Sequence, residues 1–274
     1  METITSAQNP KIKNLLLLQE KSRARREQGL FVVEGRRELE HCLEAGYSVR
    51  TIFVCPEIAG QAGNDDVCQA GNDDVRHARP DRASQIIEIP EALYRKVAYR
   101  ESTEGIIAEV EYKTRGLQEL DLPENPLIMV LESVEKPGNL GAVLRSADAA
   151  GADAVLICDP LTDLYNPNLI RASIGAVFTV PTVACSSEDA IAFLQSRGIQ
   201  ILTAQLQDSS LYYDIDMRRG TALVMGTEST GLTDVWRRAA SAHIRIPMLG
   251  RLDSLNVSVS AAILLFEAVR QRQI

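Results

Sequence analysis

The chain is poor in the residues that build metal sites and disulfide frameworks. Its 274 residues include only five cysteines and three histidines. The cysteines are scattered and odd in number, and no CxxC pair occurs, so the sequence predicts reduced structural cysteines and no metal.

Long apolar runs are lacking too, since none approaches the ~18 residues that span a membrane. The stretch METITSAQNPKIK lacks the apolar centre of a signal peptide. We therefore expect a cytoplasmic protein with no membrane partner.

The chain also lacks an overall excess of positive charge. It has 29 lysines and arginines against 37 aspartates and glutamates, a net charge of −8. Proteins that coat nucleic acid usually show a basic footprint, so any contact of this kind must come from a local cluster. Residues 10–37 contain such a cluster, with eight basic side chains against three acidic ones. Taken alone, this segment is typical of a solvated helix face, and a nucleic-acid contact is the alternative.

Two regions of different pattern are separated by a polar stretch. Residues 1–111 predict a small α/β domain, and the stretch 112–126, with two prolines, predicts a linker. In residues 127–274 strands alternate with helices, which predicts a parallel sheet with helices on both faces. The segment QAGNDDV occurs at 61–67 and again at 69–75. We interpret this duplication as a lengthened surface loop.

Three segments of the second region carry small and polar residues next to strand ends. They are NLGAVLRSADAAGA at 139–152, LVMGTESTGL at 223–232 and IPMLGRLDSLNVSVSAA at 246–262. The last predicts a strand end, a turn around Gly250 and a helix start, and such a turn lets the backbone approach a ligand closely. The GxGxxG fingerprint of a dinucleotide-binding enzyme is absent, which disfavours a dehydrogenase.

In this order the three segments resemble the signature motifs of the SpoU (TrmH-like) family of RNA ribose 2′-O-methyltransferases, within the SPOUT superfamily. The resemblance covers residues 127–272. The segments QNPKIK and GLFVVEG (29–35) resemble the substrate-binding domain that precedes some of these enzymes. The resemblance implies S-adenosylmethionine as methyl donor, ribosomal rather than transfer RNA as substrate, a trefoil knot and a homodimer. It also favours interpreting the basic segment as an RNA-contacting arm.

The resemblance assigns residues to three roles. The catalytic residues are Arg145, Asn139, Glu228 and Asn256. The cofactor-binding residues are Met225, Gly226, Ile246, Met248 and Leu255. The RNA-binding residues are Lys21, Arg23, Arg25, Arg26 and Arg171.

The chemistry of these residue types limits their roles. A guanidinium stays protonated in ordinary sites, so Arg145 is better suited to binding a substrate phosphate and orienting the ribose than to removing a proton. Asn139 is equally plausible as a helix cap, and Arg171 as part of an amphipathic helix. For Glu228 the alternative is a carboxylate that caps a helix N-terminus, and the resemblance favours the active-site role. Ser229 stands where the family usually has glycine.

A non-catalytic RNA-binding protein that keeps the fold is the alternative function. A decayed site should have lost at least one catalytic residue. The joint presence of Asn139, Arg145, Glu228 and Asn256 therefore favours an enzyme.

Overall fold

The computed structural model describes residues 2–59, 85–99, 104–227, 230–251 and 254–273. The duplicated QAGNDDV segment and Glu228 lie outside these ranges. The chain divides into two compact units. The first comprises Met1–Lys113 with Tyr165–Arg171, and the second Thr114–Leu164 with Ala172–Ile274. None of the helices in the described ranges is long and apolar enough to cross a membrane.

The first unit is an α/β domain built on a five-stranded mixed sheet. Its strands are β1 (Glu2–Thr3), β2 (Leu30–Glu34), β3 (Val49–Val54), β4 (Gln85–Glu88) and β5 (Ile106–Glu111). Its helices are α1 (Pro10–Glu20), α2 (Ser22–Gln28), α3 (Arg36–Glu44), α4 (Pro56–Ala59) and α5 (Glu91–Val97). The strand order is β1-β4-β3-β5-β2, with β5 antiparallel to both of its neighbours.

The basic segment is broken into two helices, where the sequence pattern predicts one. Lys21 adopts extended backbone angles (φ −110°, ψ 108°) between α1 and α2. The Arg25 guanidinium donates to the carbonyl oxygens of Leu18 (2.7 Å) and Gln19 (3.1 Å) at the end of α1. These carbonyls have no further helical turn to bond, so an arginine from the next helix satisfies them. Gly29 ends α2 with left-handed backbone angles (φ 63°), as glycine commonly does at a helix C-terminus.

The second unit is a seven-stranded parallel sheet with helices, which confirms the predicted fold class. Its strands are β6 (Leu127–Glu132), β7 (Ala154–Cys158), β8 (Thr182–Cys185), β9 (Gln200–Ala204), β10 (Ser210–Leu211), β11 (Thr221–Met225) and β12 (Ala242–Arg245). The helices that follow residue 126 are α6 (Pro137–Ala149), α7 (Pro167–Ser173), α8 (Ala176–Thr179), α9 (Ser187–Ser196), α10 (Asp234–Ala239) and α11 (Val257–Arg272). The strand order is β10-β12-β9-β11-β6-β7-β8.

The centre of this sheet positions the three motifs. Strands β6, β7 and β11 are buried along their whole length, which explains their continuous apolar sequences. Their carboxyl ends meet at one edge, where open α/β sheets bind ligands. The sequence pattern of residues 168–178 favours a single helix, but the structure splits it into α7 and α8, because Ile174 (φ 52°) and Gly175 (φ 82°) adopt left-handed backbone angles.

Candidate active site

The first and third motifs meet through two asparagine side chains. Asn139 lies in the first turn of α6, and Asn256 is the N-cap of α11. The Oδ1 atom of Asn256 accepts from the backbone N–H of Ser258 at 3.0 Å, which fixes the orientation of the amide. Its Nδ2 group donates to Oδ1 of Asn139 at 3.1 Å. Residues separated by 117 positions are thereby joined at the carboxyl edge of the sheet.

Gly141 allows α6 to pack closely on its neighbour. A Cβ atom at this position would lie 2.5 Å from Cβ of Ala172 and 2.7 Å from the backbone nitrogen of Ser173. Only glycine leaves room for this approach. The same helix carries Arg145, whose side chain is exposed. The guanidinium is therefore accessible to a substrate from solvent.

The second motif forms a tight loop directly after β11. The N–H of Gly231 donates to the Thr227 carbonyl at 3.1 Å, and Gly231 has φ 69°. A Cβ atom on Gly226 would overlap the Gly231 carbonyl group and lie 2.6 Å from the nitrogen of Leu232. The return of the loop therefore requires glycine at 226. Glu228 falls within this stretch of the sequence, outside the described residues.

A cavity of about 160 Å³ lies beside these motifs. It is lined by Ala204, Gln205, Leu206, Met225, Ile244, Arg245, Ile246, Met248, Ser254, Leu255, Ser260 and Leu264. Four of the predicted cofactor residues are among them, and the fifth, Gly226, follows Met225 in the chain. The lining is mainly apolar, as in pockets that bury the flat face of a small-molecule ligand.

One residue of the cavity lining, Gln205, has a buried polar atom without a hydrogen-bond partner among the described residues. The Gln205 Oε1 atom is buried and has no hydrogen-bond partner among the described residues, while its Nε2 group donates to the Gln207 carbonyl at 2.9 Å. A buried acceptor without a partner costs about 1–3 kcal/mol, so a donor from a ligand or water is expected there. An adenosine-containing cofactor, with its apolar base and its N–H and O–H donors, fits this lining. Sequence reasoning missed Gln205 because it follows β9, outside the three motifs.

The predicted RNA-binding residues do not share one environment. Lys21, Arg23, Arg26 and Arg171 are exposed. Arg25 is only 2% exposed, and its guanidinium is engaged with the carbonyls that end α1. These bonds join two helices, and together with the burial they favour a structural role for Arg25 over the predicted RNA contact. Sequence alone does not separate Arg25 from Arg23 and Arg26, because neighbouring arginines on a short helix have the same local pattern.

The described cysteines, Cys42, Cys55, Cys158 and Cys185, are free thiols. Burial raises the pKa of Cys42 and raises that of Cys55 to about 11, so both stay protonated at neutral pH. Cys158 and Cys185 are neighbours on β7 and β8, with their sulfur atoms 4.0 Å apart. Within the described ranges, no three His, Cys, Asp or Glu side chains are grouped so as to hold a metal ion.

Comparison with known families agrees with this geometry. The model of the SpoU rRNA Methylase family matches residues 126–266, the region that holds all three motifs. The chain belongs to the SpoU family. In this SpoU protein the first region, residues 9–108, matches the MRM3-like substrate binding domain.

Relatives and solved structures extend the likeness over nearly the whole chain. A 23S rRNA (uridine(2479)-2′-O)-methyltransferase from Streptomyces viridochromogenes is 30% identical over 251 residues, covering 89% of this chain and 84% of the relative. The crystal structure of an RNA 2′-O ribose methyltransferase is 39% identical, with a TM-score of 0.82 and coverage of 99% and 100% of the two chains. An AdoMet-bound rRNA methyltransferase from Sinorhizobium meliloti is 29% identical, with a TM-score of 0.87 and coverage of 98% and 97%.

Proposed function

We propose that this SpoU protein transfers a methyl group from S-adenosylmethionine to a ribose 2′-hydroxyl of ribosomal RNA. Family membership and the 2′-O-methyltransferases among its relatives support this function. The observation that carries the proposal is the position of the apolar cavity. Leu255 lines it, and the adjacent Asn256 bonds to Asn139 at the start of the helix that bears Arg145.

Backbone groups and apolar side chains of two loops would hold the cofactor. Met225 and Gly226 belong to the second motif, and Ile246, Met248 and Leu255 to the third. When bound, the cofactor supplies an electrophilic methyl group, and the hydroxyl must lie in line with it for transfer. Side chains at the carboxyl edge of the sheet would bind the RNA from the solvent side and so bring its ribose hydroxyl in line with the methyl group.

The exposed Arg145 would bind a phosphate of the substrate and so orient the neighbouring ribose. A guanidinium is a cation that presents several N–H donors, which suits a phosphate anchor better than a base. Asn139 and Asn256 hold α6 and α11 together at the site and would fix the position of this anchor. Glu228 is proposed to act in the same site, toward the arginine or the substrate.

The first unit would bind the RNA. Lys21, Arg23, Arg26 and Arg171 are the proposed contacts, since all four are exposed cations. The proposed domain limits remain 1–111, 112–126 for the linker and 127–274, although residues 165–171 belong to the first compact unit. We retain ribosomal RNA over transfer RNA and a cytoplasmic location as predictions.

A homodimer is the proposed assembly, and the trefoil knot remains a prediction of the family resemblance. Val259 and Phe266, seven residues apart on α11, are each 48% exposed, and Leu249 is 97% exposed. Apolar side chains at this helical spacing form a stripe that a second copy of the chain could cover. Light scattering tests this: Phe266→Glu should shift a dimer toward monomer, and a monomeric parent protein would exclude the dimer.

The decisive test of function is to map 2′-O-methyl groups on ribosomal and transfer RNA in a strain lacking this protein. Loss of one ribosomal mark, restored by the intact gene, is the expected result. An unchanged methylation map together with retained RNA binding would favour the non-catalytic alternative.

A further inference from the structure

Glu132 is a buried carboxylate next to the active site with no role in the proposed chemistry. It is the last residue of β6 and is 2% exposed. Its Oε2 atom accepts from the backbone N–H of Thr233 at 2.9 Å, and its Oε1 atom from the Thr233 hydroxyl at 2.6 Å. A single residue therefore occupies both carboxylate oxygens.

Thr233 directly follows the last residue of the second motif, Leu232. It is the N-cap of α10 and follows the loop that leaves β11 at Gly226. At the start of this loop, Met225 is paired with Leu131 of β6. The chain therefore pairs with β6 at Met225 and contacts it again where Thr233 bonds to Glu132. Both ends of segment 226–233 are held by consecutive residues of one strand.

The other neighbour of Glu132 leads into the first motif. Ser133 has φ 52°, and its N–H donates to the Cys158 carbonyl at 2.9 Å. The chain turns sharply here and enters α6, which carries Asn139 and Arg145. Glu132 thus lies at the junction between the helix of the first motif and the loop of the second.

We propose that Glu132 is a positioning residue, which through Thr233 holds residues 230–233, at the end of the second motif, in register with α6 for methyl transfer. The inference rests on the proposed function, since it concerns the same site. Burying a carboxylate carries a desolvation penalty that an apolar residue of similar size avoids. The contact between Glu132 and Thr233 is therefore better explained by the geometry that it imposes on the site than by a contribution to the stability of the fold.

Variants of Glu132 separate positioning from stability. Glu132→Met removes both acceptors at similar volume, whereas Glu132→Gln keeps both contacts, because the threonine hydroxyl can turn and accept from the new amide. Thr233→Val provides a second test that leaves the carboxylate in place. Glu267→Met is the matched control, since Glu267 is also largely buried but bonds to Arg270 and Gln271 near the end of α11.

Methylation kinetics should be measured well below the melting temperature of each variant. We expect Glu132→Met to lower kcat at least ~10-fold, or about 1.4 kcal/mol, with the KM for RNA changed less than about two-fold. Thr233→Val should lower kcat by a smaller factor, and Glu132→Gln and Glu267→Met should stay near the parent value. An unchanged kcat in Glu132→Met, or an equal loss in Glu267→Met, would overturn the inference.

Hydrogen exchange provides a readout that does not depend on activity. Amides of residues 230–233 should exchange faster in Glu132→Met than in the parent protein, while those of β9 stay unchanged. Equal exchange at residues 230–233 would overturn the inference. An inactive parent protein would refute the proposed function instead, and the exchange rates would still decide whether Glu132 holds the loop.

Discussion

Replacing Gly226 by alanine tests whether the close return of the second motif builds the cofactor site. The new Cβ atom would overlap the carbonyl group of Gly231, and it would lie 2.6 Å from the nitrogen of Leu232. These neighbours are backbone atoms, so no side chain can rotate away and the loop itself must move. Overpacking of this kind costs about 1–3 kcal/mol, and we expect the upper part of that range. For a domain of this size the melting temperature should fall by roughly 5–10 °C.

The displaced loop carries Gly226 and adjoins Met225 on the cavity wall. We therefore expect the dissociation constant for S-adenosylmethionine, measured by calorimetry, to rise at least ~10-fold. Gly250→Ala is the matched control in the third motif, because a Cβ atom there meets nothing within 4 Å. It should change stability by less than about 0.5 kcal/mol. A Gly226→Ala protein with parental melting temperature and cofactor affinity would refute this account of the loop.

Three further predictions concern Gln205 and the basic segment. Gln205→Leu removes one possible hydrogen bond to the cofactor, so it should weaken S-adenosylmethionine binding by roughly 2–10-fold in calorimetry. An equal or tighter affinity would contradict a contact between Gln205 and the cofactor. Replacing Lys21, Arg23 and Arg26 by alanine should weaken RNA binding and flatten its logarithmic salt dependence by about 2–3, at 0.7–0.9 per phosphate contact; an unchanged slope would reduce the segment to a solvated helix face. Arg25→Ala should instead destabilise the protein by about 1.5–3 kcal/mol in denaturant unfolding and leave the salt slope unchanged; the reverse pattern would restore Arg25 as an RNA contact.

The strands and most helix limits follow from local sequence. The stretches VRTIFV and LIMVLE are short and rich in apolar and β-branched residues, and both form strands over their full length as Val49–Val54 and Leu127–Glu132. Alternation of such runs with helices was enough to predict a parallel sheet. The loops after parallel strands all lie at the carboxyl edge of the sheet, so the three motifs, which follow strand ends, were expected to lie together there.

Departures from the sequence prediction arise from contacts between distant or non-helical positions. At Lys21 the helix breaks where the Arg25 guanidinium bonds to the carbonyl groups that end α1. The spacing of apolar residues contains no information about this contact. The split at Ile174 depends on left-handed backbone angles at a residue type that rarely adopts them. In both places apolar spacing alone favours one continuous helix.

The contacts around the site could not be predicted from the sequence either. Glu132 and Thr233 are 101 residues apart, and nothing in the local sequence of one indicates that it contacts the other. The buried acceptor of Gln205 is recognised only once the cavity is formed. The motifs thus predicted which segments build the site, and the structure added the residues that hold those segments in place.

The most direct test of the central claim is methyl transfer by the purified protein. It would be incubated with 23S rRNA and labelled S-adenosylmethionine, and the position of any new 2′-O-methyl group would be mapped. We expect one ribose to be labelled by the parent protein, and turnover to fall at least ~100-fold in Arg145→Ala with cofactor affinity nearly unchanged. The absence of label from the parent protein, or near-normal turnover in Arg145→Ala, would contradict the account.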